Sequence, residues 1–280
     1  MWRRIRFGLA GLAMLAGLWI MASEAQGNPL VDLPRAEAQQ IAKTAATVYF
    51  FLRVINSALS MAENIEIGAS VGAQATMQPL KILEPIDDTV ERVAEVVFVI
   101  AAGAVLTTVA IGPIMGIGLL VGGAGLLAAT LRPGLRPAAA MARIGLGAGV
   151  LLPAVFVAGV HLGDIATAGT SATAMETLRE VQTEATALTG VGAGGLDAQI
   201  AGGEAAEEEG FFSRLGDSVS AMGSTASTIA NFRETAALFV ERADDIFSAS
   251  LTLIGVFVLR MLVLPLFLLW IGVAVLRGRD

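Results

Sequence analysis

"VAEVVFVIAAGAVLTTVAIGPIMGIGLLVGGAGLLAATL", Val93 to Leu131, is 39 residues long and holds a single charge, Glu95. As one helix it would measure roughly 58 Å against about 30 Å of bilayer hydrocarbon, so it is either one span with an extension or a hairpin of two spans. The charges on either side decide between them. Three short segments, Met1 to Arg6, Arg132 to Arg143 and Arg277 to Asp280, hold eight arginines and one acid, Asp280. Two longer stretches, Gln26 to Arg92 and Asp164 to Asp245, hold 22 Asp or Glu against nine Lys or Arg. The positive-inside rule puts the short segments in the cytoplasm and the acidic ones on the opposite face. A hairpin would place Arg132, Arg136 and Arg143 outside, whereas one span keeps every charged segment on its preferred side.

The whole chain agrees with a multi-pass membrane protein, since 55% of its 280 residues are hydrophobic, 15% are charged and the mean hydropathy is +0.72. Its net charge of -7 matters less than this distribution. There is no cysteine and one histidine, His161, which leaves no thiolate chemistry and little basis for a zinc site.

The expected path of the chain follows. Residues 1–25 form a signal anchor or a signal peptide, because the apolar "FGLAGLAMLAGLWIMA" is intermediate in length. Ser23 and Ala25 fit a cleavage site before Gln26, while Trp19 fits the interfacial anchor of a retained helix. Residues 26–109 form a periplasmic helical segment, 110–131 a span with Pro113 near its outer end, and 132–143 a cytoplasmic loop. Residues 144–162 return outward, 163–257 form a second periplasmic helical segment, 258–276 cross inward, and 277–280 are a cytoplasmic tail. The hydrophilic mass then lies mostly in the periplasm of a bacterium. Gly112 with Gly116, Gly118 with Gly122, and Gly145 with Gly149 are G-x-x-x-G pairs, which let helix backbones approach where lipid gives no hydrophobic drive.

Outside the spans, apolar residues recur at alternating spacings of four and three. Series run Ile41, Ala45, Val48, Leu52, Ile55, Leu59; Ile86, Val90, Val93, Val97, Ile100, Ala104; Ala174, Leu178, Val181, Ala185, Leu188; Leu215, Val219, Met222, Ala226, Ile229; and Phe239, Ala243, Ile246, Ser250, Leu253, Phe257. Such coiled-coil seams predict an antiparallel helical bundle whose helices continue into the membrane. The fold class is therefore all-α, with about four transmembrane spans. "IEIGASVGAQATM", residues 65–77, alternates instead with a period of two and predicts a short extended element. "GVGAGGLDAQIAGGEAAEEEG", residues 190–210, has neither period nor bulk and reads as a flexible acidic linker. "VERVAE" at Val90 and "VERADD" at Val240 open two apolar runs, each interrupted by one proline, which suggests a parallel internal duplication.

Few residues point to chemistry. Arg260 lies within an apolar run; it is either an intramembrane charge in an ion or substrate path, or a side chain snorkelling to the outer interface, and the second reading is preferred. Glu91 with Arg92, and Glu241 with Arg242, are candidates for inter-helix ion pairs that set register, with ordinary surface charge as the alternative. Asp87, Asp88 and Glu91, like Glu241, Asp244 and Asp245, are carboxylates at helical spacing and read as solvated faces, not as a metal site. "GIGLLVGGAG" and "GAGVLLPAV" lack the strand, lysine or acidic partner of nucleotide-binding loops. No nucleophile and base arrangement stands out, so neither an enzyme, a cofactor nor nucleic-acid binding is expected.

"MQPLKILEPIDDTVERVAEVVF", together with "RETAALFVERADDIFSASLTLIGVFVLRMLVLPLFLLW", resembles a group of uncharacterised proteobacterial polytopic inner-membrane proteins, known as conserved hypotheticals. That resemblance implies localisation and topology and carries no site residues. The expected role is a non-enzymatic scaffold or accessory subunit that presents a helical periplasmic head to a protein partner or a second copy. An oligomeric channel or transporter using Arg260 and the glycine-rich spans is the competing expectation.

Overall fold

The computed structural model describes residues 2–23, 27–69, 84–189 and 225–277. Seven α-helices account for almost all of them: α1 Trp2–Ser23, α2 Pro29–Ala69, α3 Glu84–Leu131, α4 Arg136–Leu146, α5 Leu152–Thr189, α6 Thr225–Val258 and α7 Leu264–Arg277. Two π-helical turns, Gly147–Leu151 and Leu259–Val263, join α4 to α5 and α6 to α7 without a break. Four helical stretches are long and apolar enough to cross a membrane: Arg3–Ser23, Glu84–Leu131, Arg136–Ala187 and Ala237–Ala274. The chain fits a multi-pass, all-helical membrane protein.

The run from Val93 to Leu131 does not turn back on itself, because α3 continues through it from Glu84, 48 residues in all. A hairpin forms only after Leu131, over Arg132 to Leu135, where Gly134 takes φ +105 and Pro133 cannot extend the helix. At the start of α2, Gly27 adopts φ +78 and Asn28 caps the helix, its Oδ1 accepting from the Leu30 N–H at 3.0 Å. Pro29 then occupies the first helical position, where a missing N–H costs nothing.

Both π turns precede a proline by two residues, Pro153 and Pro265. The N–H of Leu152 donates to the Gly147 carbonyl, and that of Leu264 to the Leu259 carbonyl, five residues back. A proline ring collides with the carbonyl four residues earlier and leaves it without a donor; a widened turn shifts that carbonyl aside. Both prolines thus stay inside continuous helices. Pro113 sits in α3 with no widened turn.

One prediction for α2 is corrected. Residues 65–69 form its last turn, not a strand, and no strand occurs among the described residues; residues 70–77 lie outside them. Five alternating residues weigh little against a helix already nucleated over the preceding turns, since each further residue adds a hydrogen bond without a new nucleus. The predicted linker at 190–210 and the series from Leu215 to Met222 also fall outside the described residues.

The chain divides into two compact units. One comprises Met1–Ala45, Val99–Ala168 and Gly255–Asp280, and so holds most of the apolar helix length. Its buried positions include Ala10, Ala38, Ala45 and Ala104 at 0% exposure, beside larger side chains such as Ile20 and Phe257. Large apolar side chains instead face outward, among them Leu12, Leu106, Val109, Leu266 and Trp270. An outer surface of large apolar side chains is what contact with lipid requires.

The other unit comprises Ala46–Phe98 and Gly169–Ile254. Its core is conventional and bulky: Leu52, Ile55, Leu178, Phe239, Ile246 and Leu253 are almost fully buried. Each contributes about 1.5–3 kcal/mol of apolar burial. Along α3, Val90, Val93 and Val97 turn inward while Glu91, Arg92 and Glu95 stay exposed. The two Val-Glu-Arg strings occupy different environments, since Val90 is 4% exposed and Val240 46%.

A candidate polar latch around Arg260

In the first unit, α5 carries Gly159 and Gly163 one helical turn apart, facing the π turn and α7. A Cβ on Gly159 would lie 2.7 Å from Pro265 Cγ, and one on Gly163 would lie 2.5 Å from Arg260 Cγ. The absence of side chains there lets Arg260 lie flat against α5. Its guanidinium then reaches Asp164, the residue after Gly163, and Thr167, one turn further along.

Arg260 Nη1 lies 2.5 Å from Asp164 Oδ1. Nε and Nη2 both donate to Thr167 Oγ1, at 2.9 and 2.7 Å. The Thr167 hydroxyl donates in turn to the Gly163 carbonyl at 2.7 Å. A hydroxyl has one proton and two lone pairs; here the proton is spent on the backbone and both lone pairs on the arginine. The arginine side chain is 13% exposed and the aspartate 33%. An ion pair this close and this well bonded leaves no net charge for a passing ligand, and an arginine does not serve as a base at ordinary pH. His161 is exposed, one turn before Asp164 on α5.

The predicted glycines fall on helix contacts within the same unit. A Cβ on Gly118 would meet Gly149 N at 2.5 Å, one on Gly122 would meet Leu146 N at 2.7 Å, and one on Gly145 would strike the backbone of Gly122. The α3–α4 hairpin is thus zipped at backbone contact. Gly116 faces α1, where a Cβ would lie 2.8 Å from Met21 Cγ, and Gly112 is buried. Gly17, Gly123, Gly125, Gly159 and Gly163, outside the three predicted pairs, make equally tight contacts. Gly159 and Gly163 form a G-x-x-x-G pair like the others, masked by the polar residues around them.

Of the four other predicted charges, only Arg242 joins two helices among the described residues. In the second unit its Nη2 lies 3.8 Å from Glu184 Oε1 on α5, and its Nη1 donates to Asp245 Oδ2 at 3.3 Å. The hydrogen bond to Asp245, followed by the field of Glu184, raises the guanidinium pKa further above its ordinary value. Glu91, Arg92 and Glu241 are exposed and form no ion pair among the described residues. Asp87 accepts from Ser60 Oγ at 3.4 Å, which ties α2 to α3. No group of three or more His, Asp or Glu side chains converges among the described residues.

In the same unit an open groove runs between α3 and α6. Val93, Val96, Phe247, Leu251 and Ile254 line it, with Asp88 and Arg92 at the end nearer the start of α3. Val96, Phe247 and Leu251 are 45–47% exposed. No family model matches the chain, and no curated protein or solved structure matches it.

Proposed function

We propose that the protein is a non-enzymatic scaffold or accessory subunit of a bacterial inner membrane, presenting the helices of its second unit to a partner protein in the periplasm. Arginine clusters at Arg3 to Arg6 and Arg132 to Arg143 support this orientation. So does the spacing along α4 and α5, where Arg143 and Asp164 are 21 residues and about 31 Å apart, one hydrocarbon thickness. With Arg143 at the inner edge, the Arg260–Asp164 pair falls at the outer edge. The four-and-three seams of α2, α3, α5 and α6, whose members include buried Leu52, Val93, Leu178 and Ile246, are then the interior of a periplasmic helical bundle.

The observation that carries the reading is the fate of the features a channel or carrier would use. Arg260 is closed by Asp164 and Thr167, and Gly116, Gly118, Gly122, Gly145 and Gly149 of the predicted pairs are packed against neighbouring helices. The apolar groove of the second unit, in contrast, is open, a surface suited to an apolar helix face of a partner or a second copy. A photo-crosslinking residue at Leu251 or Val96, activated in intact cells, is expected to give one discrete adduct with a protein or with itself. A ladder of unrelated adducts, or adducts equal to those from exposed Glu180, would refute the proposal.

A further inference from the structure

We infer that α1 is a permanent span of the mature protein, not a signal sequence that is removed. The two faces of α1 differ in a way that a transient leader does not need. On one face Ala10, Ala13, Gly17 and Ile20 are buried, while Leu12 and Leu15 on the other are 68% and 69% exposed. The buried face fits α3 reciprocally. A Cβ on Gly17 would lie 2.8 Å from the Gly116 carbonyl oxygen, and a Cβ on Gly123 would lie 2.6 Å from Met14 Cγ and 3.0 Å from the Ala10 carbonyl oxygen. Glycines on both helices are therefore spent on one antiparallel contact, and backbone meets backbone at its centre. In lipid such close packing is the main source of helix association.

The outer end of α1 is also bonded to the start of α2. Asn28 is 1% exposed, and its Nδ2 donates to Ser23 Oγ at 2.7 Å; Ser23 donates onward to the Trp19 carbonyl at 2.6 Å. Cleavage before Gln26 would remove Ser23 and strand a buried amide donor beside the cap of α2. It would also uncover Gly116, Leu120 and Gly123 on α3. Retention leaves four spans, with α1 and α5 running outward and α3 and α7 inward.

Protein purified from membranes in mild detergent, analysed by intact mass and by peptide mapping, tests this directly. Retention predicts a principal species that still carries α1, with a peptide from residues 2–23 recovered. A principal species beginning at Gln26 overturns it. A second test compares Gly17→Leu with Gly11→Leu, a position with nothing within 4 Å. Gly17→Leu is expected to lower the melting midpoint by several degrees and Gly11→Leu to leave it unchanged. Equal midpoints for the two variants would also overturn the inference.

Discussion

The Arg260–Asp164 pair allows a quantitative test by a double-mutant cycle, with Arg260→Met, Asp164→Leu and both together. Exposed ion pairs contribute about 0–1 kcal/mol, and breaking a fully buried one costs about 3–5 kcal/mol. At 13% and 33% side-chain exposure this pair lies between those limits. The two single changes are not equivalent. Asp164→Leu removes the carboxylate that faces the less exposed, still charged partner, at a cost of about 3 kcal/mol. Arg260→Met leaves a carboxylate that is one-third exposed and can rehydrate, at about 1.5 kcal/mol. The double variant replaces the pair by apolar groups and costs about 2 kcal/mol, because no unpaired charge remains. The coupling is then about 2.5 kcal/mol, measured by unfolding in mixed detergent micelles followed by circular dichroism. Additivity within about 0.5 kcal/mol, or a larger loss from Arg260→Met than from Asp164→Leu, would refute this account of the latch.

Gly145→Ala forces the α3–α4 hairpin apart, because its Cβ meets the backbone of Gly122; a loss of about 1–3 kcal/mol in the same unfolding assay is expected. Gly169→Ala, on α5 with nothing within 4 Å, is expected to stabilise by about 0.5–1 kcal/mol instead. Gly159→Leu displaces Pro265 and is expected to lower the melting midpoint, an effect that Pro265→Ala partly relieves. Arg242→Ala removes solvent-accessible contacts to Glu184 and Asp245 and is expected to leave the midpoint unchanged.

What the sequence made legible was local or additive. The charge asymmetry around Val93 to Leu131 depends on summed arginines, and α3 is continuous through that run. Of the seam positions chosen by spacing, Ile41, Leu52, Val97 and Leu178 are buried, whereas Ile86, Ile100 and Ala243 are only partly so. The exceptions depend on distance or angle. Asp164 and Thr167 stand 96 and 93 residues before Arg260, and nothing near Arg260 announces either. The Val-Glu-Arg strings are 150 residues apart, but the buried positions Val90 and Phe239 are separated by 149. One residue is about 100° around a helix, enough to turn Val240 outward while Val90 points in. Short textual likeness did not carry over into equivalent environments. The period of two over Ile65 to Ala69 failed for a related reason, since five residues do not outweigh a helix that is already propagating.

An arginine in an apolar run raises the suspicion of transport only while its charge is available to a solute. Availability depends on the opposite helix: whether it offers a carboxylate at the same level, and whether it can come close enough. Here both conditions rest on neighbouring residues of α5, because Gly163 removes the side chain that would hold the helices apart and Asp164 supplies the charge. The π turn before Pro265 places Arg260 on a widened stretch of helix at that contact. A glycine, an acid and a proline-linked turn thus convert a costly lone charge into a clasp between two helices. The same reasoning separates the glycines into two groups. Those with a neighbour inside van der Waals distance, such as Gly17, Gly122 and Gly163, are committed to packing, and those with open space, such as Gly8 and Gly11, are not. Sequence spacing treats the two groups alike, and only the contacts distinguish them.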